Sequence, residues 1–233
     1  MRKLLIPLVL LLPALVQAQD EGRPVRCRFI GFGGTGEEIS AIAISDKGTE
    51  ITCPLSTSQL SPQIICSAKN NVIPFFSSGD KKPLATASIP AGVNAALLVF
   101  VQVPKKAEAP ADASPWRIMV IEDSPKNFPD GGAFIANFYA NDIRFVVGEH
   151  KGMLHAGGSH GYAMPAERDS FNMAPVIFEF VQGDKWRTAN ESSLRFLPGM
   201  RYLIFAYVDP ASGRPRINTY QDFPPPAAPA VKP

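Results

Sequence analysis

Three histidines and three methionines crowd one stretch in the second half of the chain. His150, His155 and His160 are its only histidines, and Met153, Met164 and Met173 lie among or just beyond them. Imidazole and thioether side chains together suit copper, Cu(I) above all. A two-residue hairpin loop at Lys151-Gly152 would pair His150 with Met153 and place Met153 on one face with His155. Those three groups would then converge, with His160 or Met164 available to complete the set. A three-residue turn with Gly152 as the bulge would pair Glu149 with Met153 instead and leave His150 at the tip. The same residues also fit a polar loop, with its histidines in water and its methionines in a core.

Other motifs carry less. Gly31-Phe32-Gly33-Gly34-Thr35-Gly36 matches the spacing of a dinucleotide-binding turn, which must open a helix whose N-terminus faces the phosphates. Here Glu37 and Glu38 put negative charge where a phosphate would sit, and strand-like alternation resumes at Ile39, so a hairpin loop is expected. Gly157-Gly158-Ser159-His160-Gly161 matches a nucleophile elbow. That device needs a histidine later in the chain, and only the serine's own neighbour follows it. The carboxylate pairs Asp46/Glu50, Glu122/Asp123 and Glu167/Asp169 have no supporting motif around them. Trp116 and Trp186 stand beside Arg117 and Arg187; such aromatics can stack on sugars but more often anchor a core. No complete catalytic set emerges, and the reading is non-enzymatic.

Cys27, Cys53 and Cys66 are odd in number, so they cannot all pair within one molecule. Alternation around Val25-Arg26-Cys27-Arg28-Phe29 predicts a buried Cys27 thiol. Cys53 and Cys66 each follow a strand-like stretch, and a bridge between them is the favoured pairing. Three buried reduced thiols are the alternative.

These residues sit in a chain of 233 residues that is 45% hydrophobic and 19% charged, which excludes a disordered or collagen-like protein. Its 23 prolines and 18 glycines are spread throughout and argue against a helical bundle. Residues 1–18 read as a signal peptide: Arg2 and Lys3, then an apolar run from Leu4 to Val16, then small residues ending at Ala18. The run is too short to span a bilayer, so cleavage after Ala18 and export to the periplasm or medium are expected. No transmembrane segment is expected after that cut. The signal holds two of the 23 cations and none of the 21 acids, so the mature chain is neutral. Nucleic-acid binding has no electrostatic footprint in such a sequence.

An internal repeat organises the rest. Ile89-Pro90-Ala91-Gly92 leads into Leu97-Leu98-Val99-Phe100-Val101, and Leu197-Pro198-Gly199 leads into Leu203-Ile204-Phe205-Ala206-Tyr207, at an offset of 106. Arg117-Ile118 and Asp123 match Arg216-Ile217 and Asp222 at an offset of 99, the difference arising in the longer loop Lys105 to Pro115. Phe29-Ile30 resembles Phe134-Ile135 at an offset near 105. Short alternating runs separated by turn signals such as Lys47-Gly48, Lys151-Gly152 and Gln182-Gly183-Asp184 predict an all-β protein. The expected architecture is two tandem antiparallel, Ig-like β-sandwich units related by duplication, at 19–123 and 133–223, joined by a hinge at 124–132. One larger sandwich, to which each repeat supplies a sheet, is the rival arrangement. A Pro-rich tail follows at 224–233.

Gly131-Gly132-Ala133-Phe134-Ile135-Ala136-Asn137-Phe138 and the strand Leu197 to Phe205 resemble segments of uncharacterised exported bacterial β-sandwich proteins. The tandem layout is similar to that of the alginate O-acetylation accessory family. This resemblance implies a periplasmic non-enzymatic protein that works through a protein or envelope-polymer partner. It implies no functional residue.

Overall fold

Prolines and glycines at close intervals keep every apolar run short, and runs of five to ten residues rich in Val, Ile and Phe fold as strands. A computed structural model describes residues 22–33, 39–102, 114, 116–209 and 211–224. The signal segment 1–18, nearly all of the tail, the second half of the Gly31–Gly36 motif with Glu37 and Glu38, and nearly all of the Lys105–Pro115 loop lie outside the described residues. The described residues form sixteen strands and no helix. The first half contributes β1 (Arg23–Phe32), β2 (Ile39–Ile44), β3 (Glu50–Leu55), β4 (Ile64–Ala68), β5 (Val72–Ser77), β6 (Pro83–Ser88), β7 (Ala95–Gln102) and β8 (Trp116–Glu122). The second contributes β9 (Ala133–Asn137), β10 (Ile143–Val147), β11 (His150–Leu154), β12 (Ser159–Tyr162), β13 (Met173–Gln182), β14 (Lys185–Arg195), β15 (Arg201–Val208) and β16 (Pro215–Asp222).

Each half builds two four-stranded sheets in the same order. The first has an outer sheet β3-β2-β5-β6 and an inner sheet β4-β1-β7-β8; the second has β11-β10-β13-β14 and β12-β9-β15-β16. Every strand of the second half thus takes the place of the strand eight before it. Contrary to the antiparallel expectation from sequence, the sheets are mixed. β1 runs parallel to β7, and β9 to β15, because the intervening strands carry the chain through the outer sheet and back.

The two inner sheets pack on each other, so the molecule is four sheets deep. Alternate residues of β1 and β7 divide between two layers. Cys27, Phe29, Leu98 and Phe100 enter the core of the first sandwich. Ile30, Phe32, Leu97 and Val99 enter a layer shared with Phe134, Leu203, Phe205 and Tyr220. Ile135 and Ile204 face the core of the second sandwich. A sheet covered on both faces reads as an unbroken apolar run, which explains Ala95–Gln102 and Arg201–Val208. The rival single sandwich is not formed, since each half supplies two sheets. Facing also corrects the front of the repeat: Phe29 is opposite Leu98 and Ile135 opposite Ile204, an offset of 106 throughout. Phe32 and Phe138 are then equivalent, and their rings meet 5.2 Å apart in the shared layer.

Charge is buried in that layer as well. Asp222 accepts from Arg28 Nη2 at 2.6 Å, and from Arg201 Nη2 at 2.6 Å and Nε at 3.0 Å. Arg201 Nη1 also donates to Asp123 at 2.8 Å and to the Phe128 carbonyl at 3.0 Å. Its guanidinium lies 4.0 Å from the centre of the Phe128 ring. Two cations and two carboxylates, one of each from either half, cancel. Within the segment 124–132, Phe128 is fully buried in the shared layer.

The three cysteines are reduced, free and fully buried in the first core, as expected for Cys27; the favoured bridge between Cys53 and Cys66 is not formed. Trp116 anchors that core, whereas Trp186 is half-buried on the outer face beneath Arg144, 4.1 Å from its ring centre.

Breaking a buried ion pair from one side leaves the other charge uncompensated, at a cost of about 3–5 kcal/mol. Asp222→Asn should lower the urea unfolding free energy by that order, about 3–5 kcal/mol. Lys81→Gln, which breaks the exposed contact with Glu50, should leave it unchanged within error. Equal effects in the two variants would contradict the role given to the buried charges.

Candidate functional site

The histidine-methionine stretch is built differently from either turn geometry considered above. The β10–β11 hairpin closes at Gly148-Glu149, with Val147 opposite His150. Gly148 holds φ +59 at the first loop position, as a type II′ turn requires. Lys151 and Gly152 lie inside β11, opposite Val146 and Phe145. Gly152 serves packing, since a Cβ there would come 3.1 Å from the Phe145 ring.

Pleat alternation then places His150 on the core-facing side of β11, with Gly152 and Leu154, and Met153 on the opposite side. Met153 is 48% exposed, opposite Arg144. His155 lies past the strand end with Nδ1 3.1 Å from Asp142 Oδ1. His160 sits on β12 of the inner sheet, opposite Ile135. Met164 is half-buried against the second core, over Gly131. His150, Met153 and His155 are therefore not brought together, whereas His150 and His160 each lie against Tyr162. Their rings flank Tyr162 with centroids 5.5 and 4.9 Å from it, and His150 Nε2 is 3.0 Å from the Ala163 carbonyl oxygen. Burial pushes the Tyr162 phenol above its ordinary value. Among the described residues, no three or more His, Cys, Asp or Glu groups are placed to hold a metal ion.

The Gly157–Gly161 motif is a strand-turn-strand connection. Its last glycine is required by close approach: a Cβ on Gly161 would lie 1.9 Å from the Asn127 carbonyl oxygen. Most carboxylates singled out from sequence have structural partners. Glu50 accepts from Lys81 at 2.9 Å, Glu122 from Asn127 Nδ2 at 2.6 Å, and Asp169 from the Phe171 and Met173 amides at 2.8 Å.

A cleft of about 510 Å³ opens where the two halves meet. Val101, Ile118, Met119, Phe138 and Tyr139 give it apolar walls, and Gln102, Arg117 and Asn137 supply the polar groups. Its floor is firm. Phe138 packs on Phe32 and Phe205, each 5.2 Å away, and Tyr139 donates its hydroxyl to the Val181 carbonyl at 2.8 Å. Asn137 is fully engaged, donating to the carbonyls of Asn141, Leu154 and His155. Arg117 is exposed, and among the described residues no carboxylate pairs with it. Its equivalent in the second half, Arg216, is 3.4 Å from Asp209. The position matching Asp209 in the first half is Val103. That difference is the one sign of this cleft that the sequence carries, and it shows only once the repeat has been aligned.

No protein-family model and no curated protein matches this sequence.

Gly161→Ala should lower the melting temperature sharply and expose the 124–132 segment to limited proteolysis, because its new methyl group meets backbone. Ser159→Ala, exposed at the start of β12, should leave both unchanged. A nucleophile elbow would make the serine, and not the glycine contact, the sensitive position.

Proposed function

We propose that this chain is an exported, non-enzymatic binding or scaffolding protein that arose by duplication of an Ig-like sandwich unit. It takes its partner, a protein or an envelope polymer, in the cleft where the two units join. The observation that carries this reading is Arg117, a cation without a described carboxylate partner, set beside the apolar walls of that cleft. Clefts between structural units, with apolar walls and a few polar groups, are favoured binding sites. The basic, apolar and small-residue order of residues 1–18 supports export. The common strand order of the two halves and the shared offset of 106 support duplication.

Two proteins captured against the native envelope test this reading: the wild type and Arg117→Glu. A species retained by the first and lost at least tenfold by the second supports the cleft. Identical captures by both would place binding elsewhere.

A second reading, copper binding, keeps one specific support: the fold brings His150 and His160 to one edge of the second sandwich. In this reading Met153 and His155 contribute nothing, since they face away from that edge. Titration with Cu(I) against a competing chelator should show binding that weakens in His150→Ala/His160→Ala and persists in Met153→Ala/His155→Ala. Equal affinity in all three proteins and in an unrelated control would end it.

A further inference from the structure

β8 is an edge strand with a hollow on each of its faces. Val101 of β7 lies opposite Arg117 and Val99 opposite Met119, and no strand pairs with β8 on the other side. Pleating sends Arg117 and Met119 toward the shared layer, where they line the cleft, and Trp116 and Ile118 toward the first core. On that side a second hollow of about 450 Å³ opens between β5, β6 and β8, lined by Pro74, Phe76, Leu84, Trp116 and Ile118. Arg117 and Ile118 border both hollows, so the two meet around the free edge of β8.

The backbone along that edge is open. The Asp123 amide donates to the Ala95 carbonyl at 2.9 Å, which sets the phase of the β7–β8 ladder. Arg117, Met119 and Ile121 therefore turn their peptide groups toward β7, and Trp116, Ile118 and Val120 turn theirs outward. Ser114 occupies the first of these: its hydroxyl accepts from the Trp116 amide at 3.0 Å and donates to the Leu84 carbonyl. Among the described residues, no hydrogen bond reaches the outward N–H or C=O of Ile118 or Val120. The other inner-sheet edges differ. β4 is bridged to Ser45 at the end of β2, the Asn127 carbonyl lies against Gly161 of β12, and on β16 Arg216 already has Asp209 3.4 Å away.

We propose that β8 takes an extended segment of a partner protein as a fifth strand of the inner sheet of the first half. This rests on the cleft reading above and narrows the partner to a polypeptide. An open edge offers N–H and C=O groups at strand spacing, and another peptide backbone returns them in register where a sugar polymer does not. Side chains alternate along the added strand, so successive ones fall in the cleft and in the hollow beside β6. Both hollows have apolar walls, and Arg117 stands where they meet, without a carboxylate among the described residues. The segment that fits is a short run of Val, Ile, Leu or Phe with one Asp or Glu at the end that reaches Arg117.

The test selects from a library of random nonapeptides on the full-length protein and uses the enriched peptide as the probe. That peptide should be apolar with one acidic residue, and it should slow amide hydrogen exchange at Ile118 and Val120 at least tenfold. Val120→Pro removes an outward N–H at an edge position, where proline is tolerated, and should weaken the peptide at least tenfold while keeping the melting temperature. Arg117→Glu should weaken it as much and regain it when the acid of the peptide becomes lysine. No enriched peptide, unchanged affinity in folded Val120→Pro, or amides already protected in the free protein, by its own chain or by a second copy, would overturn the proposal. Should Val120→Pro fail to fold, amide exchange and the charge reversal decide. A peptide or an envelope glycan lost in Arg117→Glu with no change at those amides would end strand addition and leave the cleft reading standing. Loss in neither variant would end both.

Discussion

Two guanidinium groups and two carboxylates sit in the apolar layer between the inner sheets, and the joining of the halves depends on their mutual neutralisation. Asp222 holds two cations at once, Arg28 from the first half and Arg201 from the second. Arg201 in turn reaches Asp123, next to the segment that links the halves. Inside such a layer a charge without its partner costs several kcal/mol, so the halves cannot slide or separate without loss. The cluster does not provide most of the stability, which comes from Phe32, Leu97, Leu203 and Phe205 around it. It fixes the one relative position in which all that apolar surface can be buried.

That fixed position creates the cleft. Two twisted sheets in face-to-face contact diverge toward their corners. At the corner formed by the ends of β7 and β9 the aromatic cluster of Phe32, Phe138 and Phe205 stops short of solvent. Arg117, at the start of β8, stands over the gap. The floor is rigid because Asn137 and Tyr139 are tied to backbone carbonyls.

Much of this was legible in the sequence, because strand periodicity and turn residues act locally. The all-β class, the repeat blocks at Leu97/Leu203 and Arg117/Arg216, and the burial of Cys27 and Trp116 follow from patterns a few residues wide. The stacking of the inner sheets was visible only indirectly, in runs such as Tyr202–Ala206 that bury both faces. What failed involved choices between equivalent local signals. Lys151-Gly152 looks like a turn, yet Gly148-Glu149 closes the hairpin and Gly152 makes room for Phe145. That shift of register turned Met153 away from His150. The ion cluster was not legible at all, since Arg28 and Asp222 lie 194 positions apart.

Because both halves follow one topological plan, a newly made chain faces an ambiguity about its own partners: β1 finds in β15 a strand of the same kind as β7. The charged positions resolve it. The place of Arg28 is taken in the second half by Phe134, and that of Arg201 in the first by Ala95. A strand seated in the wrong half would take Arg28 or Arg201 out of the place from which it reaches Asp222. The asymmetry of those few side chains thus protects the nascent protein from strand exchange, within one molecule and between two.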